Sequence, residues 1–110
     1  MRQFINAKED MVTEAIDGAI AASGGTLTRL DGYPHIRVVV RTDWDKSKVA
    51  LVTGGGSGHE PAHVGFVGKS MLAAAVCGDV FASPSADAVL AGILAVTGSA
   101  GCLLIVKNYT

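Results

Sequence analysis

The sequence has little of what several protein classes require. Only 17% of its 110 residues are charged and 5% are aromatic, and its formal net charge is -1. Nucleic-acid binding depends on clustered Lys and Arg, so this composition argues against a nucleic-acid partner. Gly or charged residues interrupt the apolar runs well short of the ~18 residues of a membrane span. The N-terminus has no apolar signal core. These absences predict a cytoplasmic protein without membrane contact.

Cysteine is scarce as well. Cys77 and Cys102 each lie inside an apolar run. Buried free cysteine packs as a small hydrophobic residue, and the cytoplasm keeps thiols reduced. We therefore predict two buried thiols, although the spacing alone leaves a disulfide open.

The apolar content, 49%, is enough for the packed core of one small domain. Asn6 is a candidate N-cap for a first helix that ends near Ser23-Gly24-Gly25, since glycine favours the C-terminal cap. Its apolar residues recur at helical spacing. They are Met11, Val12, Ala15, Ile16, Ala19 and Ile20.

Five segments have strand character because they are apolar or β-branched and short, and for the fourth, which could also be helical, the short length and the flanking glycines favour a strand. They are residues 27–30, 36–41, 48–53, 71–76 and 102–106. Ser83-Pro84 predicts the start of a second helix, with Ser83 as N-cap and Pro84 as first helical residue. This helix would end near Gly98. A helix between buried strands is typical of an α/β fold with a parallel sheet.

The segment Gly54-Gly55-Gly56-Ser57-Gly58 directly follows the strand predicted at 48–53. Such small residues let the backbone turn sharply and approach a ligand, and their amides can bind oxygen atoms. Familiar motifs do not fit. A Walker A loop needs a lysine that is absent here, and the dinucleotide pattern would require Gly where His59 or Pro61 stands. The hydrolase elbow also fails, because His59 occupies its last glycine position.

Residues 59–63 match the zinc peptidase pattern H-E-x-x-H. That chemistry needs both histidines on one helix face. Pro61 opposes this geometry, since proline inside a helix costs ~3 kcal/mol or more. We therefore interpret Pro61 as the first residue of a new helix and His59 as part of the preceding loop. No His or Glu follows His63 as a third ligand, so we predict no metal site and keep zinc as a weak alternative.

Three ordered blocks resemble the start of dihydroxyacetone kinases: residues 54–68, 77–84 and 103–110. The first helix and the strand at 36–41 are similar too, so the resemblance covers essentially the whole chain. The closest similarity is to the single-chain, ATP-dependent kinases. The substrate-binding subunit that works with a phosphoenolpyruvate-driven phosphotransferase system is similar as well, which leaves the phosphoryl donor open.

The resemblance implies an α/β fold with a mixed or parallel sheet and flanking helices, of which residues 1–110 form the N-terminal part. It also implies a triose site. Gly55 and Gly56 would lie against the substrate, and His59 would hydrogen-bond it and support phosphoryl transfer. Ser83 would hydrogen-bond it, and Lys107 would line the same pocket.

From the residues alone, His59 or Ser83 could instead cap a helix, and Lys107 could be a surface lysine. His63, Asp79 and His35 are assigned structural or loop roles.

The family activity is phosphorylation of dihydroxyacetone with ATP and Mg²⁺, which this segment would not bind. A family Asp that acts as base, a later His that binds the substrate covalently, and the ATP-binding domain have no counterpart in these residues. The chain alone is therefore expected to be inactive. Its partners would be dihydroxyacetone and either the remainder of the kinase chain or an ATP-binding subunit. The assembly is expected to be a homo-oligomer. A truncated, non-catalytic module for triose binding or dimerisation is the remaining alternative.

Overall fold

A computed structural model describes residues 4–107, so the last three residues of the block 103–110 lie outside the described part. The described residues form one five-stranded sheet with the strand order β1-β2-β4-β3-β5. The strand bounds are β1 Leu27–Arg29, β2 Arg37–Arg41, β3 Ala50–Ser57, β4 Ala74–Val80 and β5 Cys102–Ile105. The helices are α1 Met11–Ala22 and α2 Ala86–Val96.

The sheet is mixed, as the resemblance implied. β1 pairs antiparallel with β2, and β2 pairs antiparallel with β4. β3 lies between β4 and β5 and is parallel to both. The connection from β4 through α2 to β5 therefore crosses β3, which gives the predicted strand–helix–strand unit. The carboxyl ends of β3, β4 and β5 consequently lie at one edge of the sheet.

Alternation of side chains along the strands produces two apolar layers, one on each face of the sheet. The layer under α2 contains Val38, Val40, Ala50, Val52, Ala74, Val76, Ala88 and Val96. The layer under α1 contains Val12, Ile16, Val39 and Cys77. Within the described residues, neither helix has the length and apolar character needed to cross a membrane.

The first helix is confirmed, but its predicted cap is wrong. A 3-10 turn at Lys8–Asp10 precedes α1, and Asp10 occupies the N-cap position without a side-chain capping bond. Asn6 lies before this turn, and its amide donates to Glu14 at 2.7 Å. The extra turn separates Asn6 from the first helical residue, so its side chain cannot reach the orphan amides there.

The glycine segment continues a strand, which corrects the prediction of a sharp turn. β3 runs through to Ser57, with a register irregularity between Gly55 and Ser57. β4 also begins and ends later than predicted, at Ala74–Val80. Both strands extend together because Gly54 and Gly55 pair with Val76 and Cys77.

The predicted start of the second helix is displaced by two residues. Ser85 is the N-cap of α2, and its hydroxyl accepts a hydrogen bond from the amide of Ala88 at 3.1 Å. Ser83 and Pro84 precede the cap. The segment 82–84 passes directly over Gly78, where an added Cβ would lie 2.0 Å from the carbonyl oxygen of Ala82. This close passage keeps the chain out of the helix until Ser85.

The prediction that Pro61 starts a helix is also wrong. Residues 60–63 form turns, and a single 3-10 turn follows at Val64–Phe66. Both His63 and Val67 are buried.

The two cysteines are free, as predicted. Cys77 is buried under α1, and burial raises the pKa of its thiol to about 12. Cys102 is only partly buried and packs against the layer under α2. The open alternative of a disulfide is therefore excluded in this structure.

Candidate functional site

A cleft of about 660 Å³ opens at the carboxyl ends of the parallel strands, on the side of the sheet that α2 covers. Its lining includes every residue that the sequence predicted for the site: Gly55, Gly56, His59, Ser83 and Lys107. Open α/β sheets bind ligands in the crevice outside the carboxyl ends of their strands. The fold therefore brings together residues that lie far apart in the chain.

Gly56 permits a close contact between the end of β3 and the segment that follows β4. A Cβ built at Gly56 would lie 2.7 Å from the amide nitrogen of Ala82 and 2.9 Å from the carbonyl carbon of Phe81. The amide of Phe81 also donates to the carbonyl of Ser57 at 2.7 Å. Glycine is thus required here for close approach, and this approach places Ser83 on the wall of the cleft.

The side chains of His59 and Lys107 are in contact in the cleft. The Lys107 Nζ lies 2.6 Å from the His59 Nε2. An ammonium group has only donors, so Lys107 donates and Nε2 accepts, which leaves the imidazole proton of a neutral His59 on Nδ1. Lys107 is thus an exposed residue whose ammonium contacts His59 in the cleft. No helix begins directly after His59, so the helix-capping alternative for this residue is wrong.

Phe81 is a cleft residue that sequence reasoning missed. Its ring is parallel to that of His59, with an angle of 5° between the planes and 6.0 Å between the centroids. Its φ is 51°, in the left-handed region that bulky residues rarely adopt. Such conformations concentrate at functional sites. Phe81 lies within the block 77–84 that carries the resemblance, but nothing in the sequence signals its left-handed backbone.

The cleft does not fit a divalent metal. Mg²⁺ prefers oxygen ligands such as carboxylates, and the described residues that line the cleft include no Asp or Glu. Residues 4–107 also contain no group of three or more His, Cys, Asp or Glu side chains placed to hold a metal ion. His59 and His63 do not share a helix face, which the zinc peptidase pattern needs. Their rings meet edge to face, with centroids 5.9 Å apart.

Fold and cleft together define an α/β domain with an open cleft at the carboxyl edge of a mixed sheet. Comparison with protein families gives the more specific result. Residues 11–110 match the Dak1 domain. Because this match covers most of the chain, the chain belongs to the Dak1 domain family.

The relatives are much longer than this chain. The dihydroxyacetone kinase of Citrobacter freundii is 67% identical over 108 residues, which are 97% of this chain and 20% of the kinase. The dihydroxyacetone-binding subunit DhaK of a PTS-dependent kinase from Listeria innocua is 48% identical over 110 residues, 100% of this chain and 32% of the subunit.

A solved structure supports the fold directly. The crystal structure of the C. freundii dihydroxyacetone kinase in complex with AMP-PNP and Mg²⁺ superposes with a TM-score of 0.92 at 65% identity. The match covers 98% of this chain and 20% of that chain. The chain therefore has the fold of one part of a much larger enzyme.

Proposed function

We propose that this chain is the triose-binding part of a dihydroxyacetone kinase, which transfers a phosphoryl group from ATP to dihydroxyacetone. One observation carries this proposal: Gly55, Gly56, His59, Ser83 and Lys107 converge on a single cleft. Membership of the Dak1 domain family and the similarity to the C. freundii kinase support it.

The cleft suits a small polyhydroxy ketone. Gly55 and Gly56 provide a wall without side chains, against which a triose can lie in contact with the backbone. Ser83 offers a hydroxyl that both donates and accepts hydrogen bonds. The apolar part of the lining, which includes Phe81 and Leu104, can pack against the substrate carbons. We infer that these groups bind and orient dihydroxyacetone.

The His59–Lys107 pair would supply the electrostatic part of catalysis. Phosphoryl transfer depends mainly on positioning and charge compensation. The substrate hydroxyl would pass its proton to a base outside these residues, its oxygen would bond to the γ-phosphorus of ATP, and the bond between that phosphorus and ADP would break. Lys107 places a positive charge beside the reacting oxygens. His59, held at Nε2 by Lys107, would donate its Nδ1 proton in a hydrogen bond to the substrate.

ATP and Mg²⁺ would be bound outside this segment. The described cleft residues include no carboxylate that could hold Mg²⁺. We infer that residues 1–110 are the N-terminal part of the triose-binding domain. The remainder of that domain and the ATP-binding domain, or a separate ATP-binding subunit, would complete the enzyme. A homo-oligomer in the cytoplasm is the proposed assembly.

The test is the rate of ATP-dependent dihydroxyacetone phosphorylation by the full-length protein and its His59→Ala variant. A side chain that transfers a proton to or from the reacting group, or hydrogen-bonds that group, typically accelerates the reaction about 10²-fold or more. We expect His59→Ala to lower kcat/KM by that amount. His35→Ala is the control, because His35 is exposed in a loop outside the cleft. A wild-type protein that does not phosphorylate dihydroxyacetone, or a His59→Ala variant within threefold of it, would contradict the proposal.

The second candidate is the substrate-binding subunit of a phosphotransferase-dependent kinase. The similarity to the Listeria innocua subunit favours it. Donor dependence separates the two: the first candidate turns over with ATP alone, whereas the second needs phosphoenolpyruvate and the phosphotransferase proteins. His59→Ala should impair both reactions.

A further inference from the structure

His63 lies behind the cleft, on the opposite face of the sheet from α2. It is a buried polar residue, with 8% of its surface exposed. Burial lowers the pKa of its imidazole, and the nearby positive charge of Lys107 lowers it further, while the carboxylate of Glu60 opposes this. A neutral imidazole is therefore the form that this environment favours.

The His63 side chain contacts three supports of the cleft. Its Nδ1 lies 3.4 Å from the hydroxyl oxygen of Thr53 in β3. Its ring meets the ring of His59 edge to face, with centroids 5.9 Å apart. Its Nε2 lies beside Gly55, where an added Cβ would be only 3.0 Å away.

Thr53 extends this contact to the strand that leads to Lys107. The Thr53 hydroxyl donates to the carbonyl oxygen of Ile105 in β5 at 2.7 Å. Its proton is thus committed to Ile105, and its oxygen can only accept from His63. The proton of a neutral His63 must then be on Nδ1. The His63 Nε2 is buried and has no hydrogen-bond partner among the described residues, which agrees with an unprotonated nitrogen.

We propose that His63 is a positioning residue for phosphoryl transfer, which holds Gly55, His59 and the end of β5 in one arrangement. This inference rests on the proposed function. Ile105 precedes Lys107 by two residues, so the chain His63–Thr53–Ile105 sets where the Lys107 ammonium meets His59. Misplacement of a catalytic group by about 1 Å can cost 10²-fold in rate. His63 itself lies outside the residues that line the cleft.

Two substitutions separate positioning from packing. His63→Asn is smaller than the native residue, but its amide nitrogen can take the place of Nδ1 and donate to Thr53. His63→Leu has about the volume of histidine and no donor. A packing role predicts that Leu preserves both stability and activity better, because Asn leaves a cavity. A positioning role predicts the reverse order for activity.

The experiment measures kcat and KM for dihydroxyacetone in the full-length variants, together with their thermal unfolding. We expect His63→Leu to lower kcat about tenfold or more, and His63→Asn to keep more activity despite a lower Tm. Thr53→Val should reproduce the loss of kcat, whereas Thr53→Ser should resemble the wild type. When Thr53→Val is combined with either His63 variant, His63→Asn should no longer be more active than His63→Leu. Equal losses in the Asn and Leu variants, or activities that follow their Tm values, overturn the inference.

A second readout separates this inference from the proposed function. If the wild-type protein does not phosphorylate dihydroxyacetone, the proposed function fails, yet the arrangement can still be measured. In protein labelled with ¹⁵N-histidine, we expect NMR at pH 7 to show the His63 proton on Nδ1, and Thr53→Val to shift the ring resonances of His59. A His63 proton on Nε2, or a His59 ring that does not respond, overturns the inference.

Discussion

At the residue scale, the shape of the cleft depends on contacts between backbone segments that leave no room for a side chain. Gly56 is the clearest case. A Cβ added to it would lie 2.7 Å from the backbone of the segment that follows β4. The obstructing atoms belong to the backbone of Ala82 and Phe81, so they cannot move aside as a flexible side chain could. Any larger residue at this position must displace the segment that carries Ser83.

We therefore predict that Gly56→Ala raises the KM for dihydroxyacetone about tenfold, because a sub-ångström shift of the cleft wall misplaces the substrate. Steady-state kinetics of the full-length protein would measure this. Gly18→Ala is the matched control. Gly18 lies in α1 with nothing within 4 Å of an added Cβ, so the same methyl group should stabilise the helix by up to ~1 kcal/mol. An unchanged KM in Gly56→Ala would contradict the argument.

At the element scale, α2 illustrates how a capping residue and a binding residue can be told apart. Ser83 and Ser85 both precede the apolar helix, and the sequence predicts the cap at Ser83. The structure assigns the cap to Ser85, whose hydroxyl accepts from the Ala88 amide. Ser83 lines the cleft. The two serines should therefore affect different measurements.

Ser85→Ala should lower the free energy of unfolding by about 1 kcal/mol, the usual cost of removing an N-cap, with little change in kinetics. Ser83→Ala should do the opposite: it should raise the KM for dihydroxyacetone and leave the Tm within about a degree. Chemical denaturation and steady-state assays on both variants would check this pair. If Ser83→Ala destabilises the protein and Ser85→Ala does not, the assignment of the cap is wrong.

The elements themselves were largely predictable, because their signals are local. Apolar periodicity located α1, and β-branched runs located β2 and the first half of β3. The glycine segment was misjudged because a strand of glycines has no side-chain pattern. It pairs only because Val76 and Cys77 lie alongside Gly54 and Gly55. The helix start at Ser85 likewise depends on the passage over Gly78, a contact between residues that local patterns do not connect.

The site could be predicted only in part, for a similar reason. The resemblance supplied Gly55, Gly56, His59, Ser83 and Lys107, and the fold brings them to one cleft. His63 and Phe81 were not recognised as part of the site environment. Their relation to His59 depends on ring geometry and on a left-handed backbone at Phe81. Neither feature has a counterpart in composition or spacing.

At the scale of the whole molecule, a large apolar surface is exposed on the side where the cleft opens. Both faces of β5 contribute to it, and so does the outer side of α2, where Leu94 is 64% exposed. Val106, just after β5, is 71% exposed. Soluble proteins rarely expose large contiguous apolar patches. The 110 residues on their own should therefore self-associate.

We predict that a protein of these 110 residues alone does not phosphorylate dihydroxyacetone. The described cleft residues include no carboxylate to accept the hydroxyl proton or to hold Mg²⁺. A coupled assay for ADP release, run beside equal molar amounts of the full-length protein, would measure this, with circular dichroism to establish that the short protein is folded. Turnover by the short protein that His59→Ala abolishes would contradict the prediction.

The parallel pairing of β3 with β5 has a consequence for synthesis on the ribosome. It joins residues that are 52 positions apart, such as Thr53 and Ile105. Pairings between such distant residues form slowly, since a long loop must close before any contact compensates its entropy. A nascent chain therefore carries the glycine segment through the synthesis of α2 and β5 before Lys107 is added. The cleft between β3 and β5 should therefore form only once β5 and Lys107 have left the exit tunnel.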